Sequence, residues 1–259
     1  MTIVESIILG IIEGITEFLP VSSTGHLILA ADLLHISESS FVTSFEIIIQ
    51  LGAILAVVFL YWKTLIQIEN IKKLIVAFIP TGIIGLTVYK MIKQYLLGNE
   101  YVVVAALFVG GIVLIIFELF HKESAGVSEA PDGIRDVSYK QALGIGLFQS
   151  LAVVPGVSRS AATIIGGLLL GLKRKTTVEF SFLLAVPTMC AATGLDLLKN
   201  ASHFSRSEAD VLAVGFIVSF IVALLSIKFL LVYIQKHNFI PFGIYRILLA
   251  LIFWLFLLN

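Results

Sequence analysis

The stretch Glu13–His26, EGITEFLPVSSTGH, decides how this chain is read. Apolar sequence flanks it on both sides. Yet it gathers two carboxylates, two serines, two threonines and a histidine around one proline. Residues 3–34 would otherwise suffice for one bilayer crossing, but Pro20 and the polar run after it cut them into pieces of about 11 to 17 residues, short of the ~20 that a spanning helix needs. Irregular backbone at membrane depth is tolerated only inside protein or against a cavity. The expectation is therefore a re-entrant hairpin: one short helix in, an irregular turn, one short helix out.

Working outward, residues 141–171 repeat the pattern, cut by PGVSRS. Six uninterrupted stretches remain, at roughly 41–62, 74–93, 101–120, 178–198, 211–234 and 241–258, each close to the ~20 residues of a span. Composition agrees. Of 259 residues, 59% are hydrophobic and 13% charged, against about 25% charged in soluble domains, and the mean hydropathy is +1.06. The formal net charge is zero, so no basic field points to nucleic acid. The single cysteine, Cys190, excludes an internal disulfide and reads as a small apolar residue. The N-terminus has no basic region before its apolar run and is expected to be retained rather than cleaved as a signal peptide.

If both interrupted regions re-enter and six segments cross, Lys63, Lys72, Lys73, Lys122, Arg135, Lys140, Lys173, Arg174, Lys175, Lys228 and Lys236 fall on one side. Lys90, Lys93, Lys199 and Arg206 fall on the other. The positive-inside rule then places the first side in the cytoplasm and both termini, with the opening of any site, on the periplasmic or extracellular side. The expected architecture is an all-α polytopic membrane protein forming a single domain over 1–259. Repeat 1 covers about 1–120 with its re-entrant pair at 3–34, a loop covers 121–140, and repeat 2 covers about 141–259 with its pair at 141–171. Three spans per unit invert the second relative to the first. GIIEGITEFLPVSSTG lies on GLFQSLAVVPGVSRSA without gaps, matching Gly10 to Gly146, Val21 to Val157 and Ser22 to Ser158. Inverted repeats with broken helices put a site at their interface, so the two polar breaks should face each other.

The residues at the breaks carry chemistry. Glu13 and Glu17 share one face of the first short helix, and two close carboxylates resist joint ionisation or hold a cation. Ser22 or Ser23 can cap the second helix; alternatively Ser23 is a nucleophile with His26, three residues on, as its base. In the second break, Ser158 and Ser160 flank Arg159 at a helix start, where free N–H groups and a forked guanidinium suit phosphate oxygens. Glu46 and Gln50 read as interhelical glue, with Gly52 allowing close approach. Arg246, beside Tyr245, receives no chemistry. The basic run at 171–175 reads as a topology determinant. Acids and hydroxyls facing an arginine inside lipid suit phosphate chemistry on a lipid, and a divalent cation, Mg²⁺ or Ca²⁺, would relieve repulsion between the glutamates and a diphosphate.

EGITEFLPVSSTGH, FEIIIQLGAILAV, and PGVSRSAAT followed by FSFLLAVPT together resemble the undecaprenyl-diphosphate phosphatase family, also called bacitracin-resistance proteins, in order and over the whole chain. The resemblance implies a bacterial inner-membrane hydrolase with six spans and two re-entrant hairpins. Such an enzyme converts undecaprenyl diphosphate to undecaprenyl phosphate and inorganic phosphate, recycling the carrier for peptidoglycan synthesis. It implies Glu13, Glu17, Ser23, His26 and Arg159 as site residues, with Ser158 and Ser160 alongside. The expected roles are Glu17, Ser23, His26 and Arg159 as catalytic residues, Ser22, Thr24, Ser158, Arg159 and Ser160 as diphosphate ligands, and Glu13 and Glu17 as metal ligands, directly or through water. Ala161 stands where the family usually has glycine after the serine-arginine-serine run. The alternative expectation is a transporter or flippase of the polyprenyl phosphate. The expected partners are the polyprenyl diphosphate substrate and the bilayer, with no nucleic acid and a homodimer left open.

Overall fold

The computed structural model describes residues 1–37, 39–96, 99–121, 133–200 and 206–257, and among these every regular element is helical. Ten α-helices follow in order: α1 (Ile3–Thr16), α2 (Ser23–Leu33), α3 (Ser40–Leu65), α4 (Ile68–Tyr95), α5 (Glu100–Phe120), α6 (Tyr139–Gln149), α7 (Arg159–Leu169), α8 (Arg174–Asn200), α9 (Arg206–Tyr233) and α10 (Ile240–Leu257). Five of them, α3, α4, α5, α8 and α9, are long and apolar enough to cross a membrane. The sixth expected span, α10, is a shorter apolar helix over Ile240–Leu255. Lys122 and most of the expected loop 121–140 lie outside the described residues, as do the side chains of Lys90, Lys93, Lys199 and Arg206.

Both interrupted regions form short helix pairs. At 1.5 Å per residue, α1 and α2 reach only ~21 and ~17 Å, well below a ~30 Å hydrocarbon core. A capping box between Thr2 and Glu5 starts α1, and one between Ser138 and Gln141 starts α6. Helix α1 ends at Thr16, ahead of Pro20, with Glu17 as its C-cap. Pro20 has no N–H to offer the Thr16 carbonyl four residues back, so the helix stops there and a turn containing Glu17 and Pro20 follows.

Packing respects an exchange of the two five-helix halves. Helix α1 packs on α9 as α6 packs on α4, α3 packs on α9 as α8 packs on α4, and the pairs α3–α8 and α5–α10 map onto themselves. At one end, the Ser6 hydroxyl donates to Val211 O at 2.7 Å, and Tyr101 meets Trp254 edge-on. At the other, Lys73 donates to Arg135 O, Tyr139 donates to Glu69 at 2.7 Å, and Arg174 forms a two-bond ion pair with Glu118. Seven of the eleven cations assigned to one side from sequence lie in or next to α4, α6 and α8 at this end: Lys72, Lys73, Arg135, Lys140, Lys173, Arg174 and Lys175.

The main core runs through the centre, where Phe18 meets Phe182 edge-to-face at 5.2 Å. Large apolar side chains such as Phe59, Leu86, Ile116, Phe229 and Leu255 cover the outside. Apolar side chains gain little by leaving lipid for a helix interface, so close helix contact relies on small residues. A Cβ on Gly52 would stand 2.5 Å from Phe216 O, which explains how α3 and α9 approach so closely.

Candidate functional site

The two breaks meet in the middle of the bundle. Ser160 Oγ donates to Phe18 O at 2.7 Å, joining the start of α7 to the turn after α1. Glu17, buried in that turn, takes two partners. Ser23 Oγ donates to its Oε2 at 2.7 Å, and Arg159 Nη2 lies 3.1 Å from its Oε1. Arg159 also donates from Nη1 to Ser181 O at 2.9 Å, so α8 fixes the rotation of its fork. Ser181 in turn shares a 2.6 Å hydroxyl contact with Thr163.

Ser22 and Ser158, aligned from sequence, begin α2 and α7 with φ of 73° and 72°. Both lie in the left-handed region that residues with a Cβ rarely occupy, and such strain persists only where surroundings impose it. The side-chain roles then diverge. Ser158 Oγ accepts from Ala161 N at 3.2 Å and caps α7. Neither Ser22 nor Ser23 caps α2: Ser22 makes no side-chain cap bond, and the Ser23 hydroxyl is engaged with Glu17.

The structure does not bring His26 to the Ser23 hydroxyl. Its Nδ1 lies 2.7 Å from Ser22 O and its Nε2 lies 2.7 Å from Tyr245 OH. A carbonyl can only accept, so Nδ1 carries a proton and, in the neutral ring, Nε2 accepts from the tyrosine. Glu13 is fully buried, and its carboxyl faces the neighbouring Glu17 carboxylate. Glu46 and Arg159 lie within its electrostatic reach.

A cavity of about 90 Å³ opens between the breaks, lined by Glu17, Ser22, Ser23, Thr24, Ser158 and Arg159, with Gln50 and Met189 from α3 and α8. It has room for a small polar group, since a single water needs only ~10–15 Å³ measured this way. A second cavity of about 330 Å³, almost wholly apolar, lies between α5, α7 and α10; Val154 borders both. The expected residues Ser22, Ser23, Thr24, Glu17, Ser158 and Arg159 thus share one wall-to-wall space. Ser160 and Glu13 sit behind it, and His26 stands to one side. Among the described residues no group of three or more His, Cys, Asp or Glu is placed to hold a metal. Glu13 and Glu17 supply two adjacent carboxylates, the donor type that a hard cation such as Mg²⁺ takes, but only Glu17 lines the cavity.

Sequence reasoning missed Ser181, Tyr245 and Arg246. Arg246 carried a usable signal, since an ionisable residue inside a span is a functional candidate by default. Nothing in the local sequence marks Ser181 or Tyr245.

Fold and site together define a polytopic helical membrane protein with a buried polar centre built from two interrupted helix pairs. The family model described as "Bacitracin resistance protein BacA" matches residues 6–252. The chain belongs to that family. It is 56% identical over 255 residues to an undecaprenyl-diphosphatase of Sulfurihydrogenibium sp. (strain YO3AOP1), covering 98% of this chain and 99% of that one. It is 55% identical over 259 residues to that of Persephonella marina (strain DSM 14350 / EX-H1), with both chains fully covered. The undecaprenyl-diphosphatase of Methanococcus aeolicus (strain ATCC BAA-1280 / DSM 17508 / OCM 812 / Nankai-3) is 47% identical over 260 residues, again at full coverage.

Proposed function

We propose that this chain hydrolyses undecaprenyl diphosphate to undecaprenyl phosphate and inorganic phosphate, recycling the lipid carrier for cell-wall synthesis and conferring bacitracin resistance. The observation that carries the reading is the contact of Ser23 and Arg159 with one buried carboxylate, Glu17, in a polar cavity that abuts an apolar one. The polar cavity takes the diphosphate; the apolar cavity between α5 and α7 takes the first isoprene units of the tail. Full-length relatives carrying that activity in their names support it.

In this reading the chain sits in a bacterial inner membrane as one domain of two inverted repeats. Its six crossings are α3, α4, α5, α8, α9 and α10, and α1–α2 and α6–α7 re-enter. The termini and the site's mouth face the periplasm. The exchange symmetry of the packing and the gathering of cations at one end support this arrangement.

Arg159, Thr24, the Ser158 turn and the helix starts hold the phosphates. The Ser23 oxygen attacks the terminal phosphorus as its proton passes to Glu17; the bond to the bridging oxygen breaks and undecaprenyl phosphate leaves. Water then cleaves the phosphoserine, its proton taken by a carboxylate and the serine reprotonated. His26, held by Ser22 O and Tyr245, fixes the shape of the serine turn. Glu13 and Glu17 would hold a divalent cation, Mg²⁺ or Ca²⁺, which when bound neutralises phosphate charge.

The test is phosphate release from undecaprenyl diphosphate by the purified protein in detergent, with Mg²⁺, Ca²⁺ or EDTA. Detergent has no sides, so a pure transporter releases nothing. No release from folded protein removes the enzyme reading and leaves transport of the polyprenyl phosphate.

A further inference from the structure

Both breaks leave carbonyls that no helix satisfies, and lipid offers them no water. Arg246, in the middle of α10 and fully buried, meets this need. Its Nε donates to Leu107 O at 3.4 Å. Its Nη1 donates to Pro20 O at 3.4 Å and Val157 O at 3.1 Å. Its Nη2 donates to Ala106 O and Gly156 O, both at 3.0 Å. A guanidinium has five N–H donors, and all five end on backbone carbonyls from three separate segments. No salt bridge to a carboxylate is formed among the described residues. The neighbouring Tyr245 reaches Ser22 O through His26, so α10 grips the first turn at two points.

We propose that Arg246 is the positioning residue that sets the two helix breaks against each other, holding the starts of α2 and α7 at the spacing the polar cavity requires. A lysine cannot replace it, having three donors on one point and no planar fork. The charge faces carbonyl dipoles on every side, so it needs no acid and leaves Glu17 to Arg159. Gly110 supplies an independent handle. A Cβ there would run into the Arg246 guanidinium, so Gly110→Ala displaces the fork without removing its charge and without touching the polar cavity. Because Gly110 and Arg246 both line the apolar cavity, KM is read beside kcat, a weakened tail site raising KM and a shifted polar site lowering kcat.

The catalytic part of this inference rests on the phosphatase reading; the clamp itself does not. The experiment compares wild type, Arg246→Lys and Gly110→Ala in detergent, by hydrogen exchange and by phosphate release per folded molecule. Amides of residues 18–24 and 154–160 should exchange at least ~10-fold faster in both variants, far from the substitution in sequence. The kcat should fall about 10- to 100-fold, the scale expected when reacting groups shift by about an ångström. Loosening confined to α5 and α10, or unchanged turnover, overturns the proposal. If Arg246→Lys does not fold, Gly110→Ala decides alone. If wild type releases no phosphate, the phosphatase reading fails, and exchange at the two turns still decides whether Arg246 clamps them.

Discussion

Arg159 and Glu17, 142 positions apart in sequence, form a buried ion pair of 3.1 Å that closes the two halves of the chain on each other. Removing one partner of such a pair leaves a charge stranded, at about 3–5 kcal/mol. Arg159→Ala should therefore lose more than tenfold in phosphate release and also lower the melting temperature. Combining Arg159→Met with Glu17→Gln should recover most of the melting temperature and none of the activity. Arg159→Lys should stay impaired, because Nη1 and Nη2 serve different acceptors, Ser181 O and Glu17. Near-normal turnover in Arg159→Ala would take the arginine out of the site.

Ser23 and Ser22 are adjacent but should behave differently. The Ser23 hydroxyl is committed to Glu17, whereas the Ser22 side chain makes no cap bond. Ser23→Ala should lower kcat by at least ~100-fold, the scale of losing an activated nucleophile and its base, and should abolish any acid-stable phosphoenzyme trapped by rapid quench. Ser22→Ala should cost far less. A phosphoenzyme persisting in Ser23→Ala would assign attack to another group.

The fold was legible because its signals are coarse. Hydropathy located every long helix, and the two proline-containing breaks fell at the same point of each half. The match of Gly10 to Gly146 has a physical counterpart. A Cβ on Gly10 would stand 2.8 Å from Gly215 O on α9, and one on Gly146 would strike Ala77 O on α4, so each glycine marks the close crossing of its short helix. Ser22 and Ser158, matched in the same alignment, share a left-handed backbone conformation that nothing in the sequence announced. Bond partners were not legible. His26 lies within one helical turn of Ser23, and spacing alone allowed that pairing. Tyr245, 219 positions away, takes the ring nitrogen instead, and no local pattern encodes so distant a contact.

A control outside the site comes from Glu118 and Arg174. Two hydrogen bonds of 2.5 and 2.8 Å join them, and Glu118 Oε1 also accepts from Phe239 N. The pair ties the ends of α5, α8 and α10 together. Glu118→Gln should destabilise the protein by about 1.5–3 kcal/mol, the scale of a hydrogen bond to a charged group, while kcat per folded molecule stays within a factor of about two. A large kcat loss without destabilisation would mean that this end of the bundle is coupled to the chemistry.

Cation dependence can be tested without relying on turnover. Glu13 has two fully buried oxygens beside the Glu17 carboxylate and within electrostatic reach of Glu46. With Glu13 and Glu17 both ionised, their repulsion would destabilise the protein, and a divalent ion held between them would relieve it. In EDTA, Glu13→Gln should therefore melt higher than wild type. Adding Mg²⁺ or Ca²⁺ should raise the wild-type melting point, with a gain of ~2.7 kcal/mol at a hundredfold excess over Kd, and should move Glu13→Gln much less. Phosphate release by wild type should stop in EDTA and return with the cation, and Glu13→Gln should need about tenfold more cation for half-maximal rate. Equal stabilisation of wild type and Glu13→Gln would place the cation elsewhere. No stabilisation of either would leave Glu13 to be kept neutral by a proton.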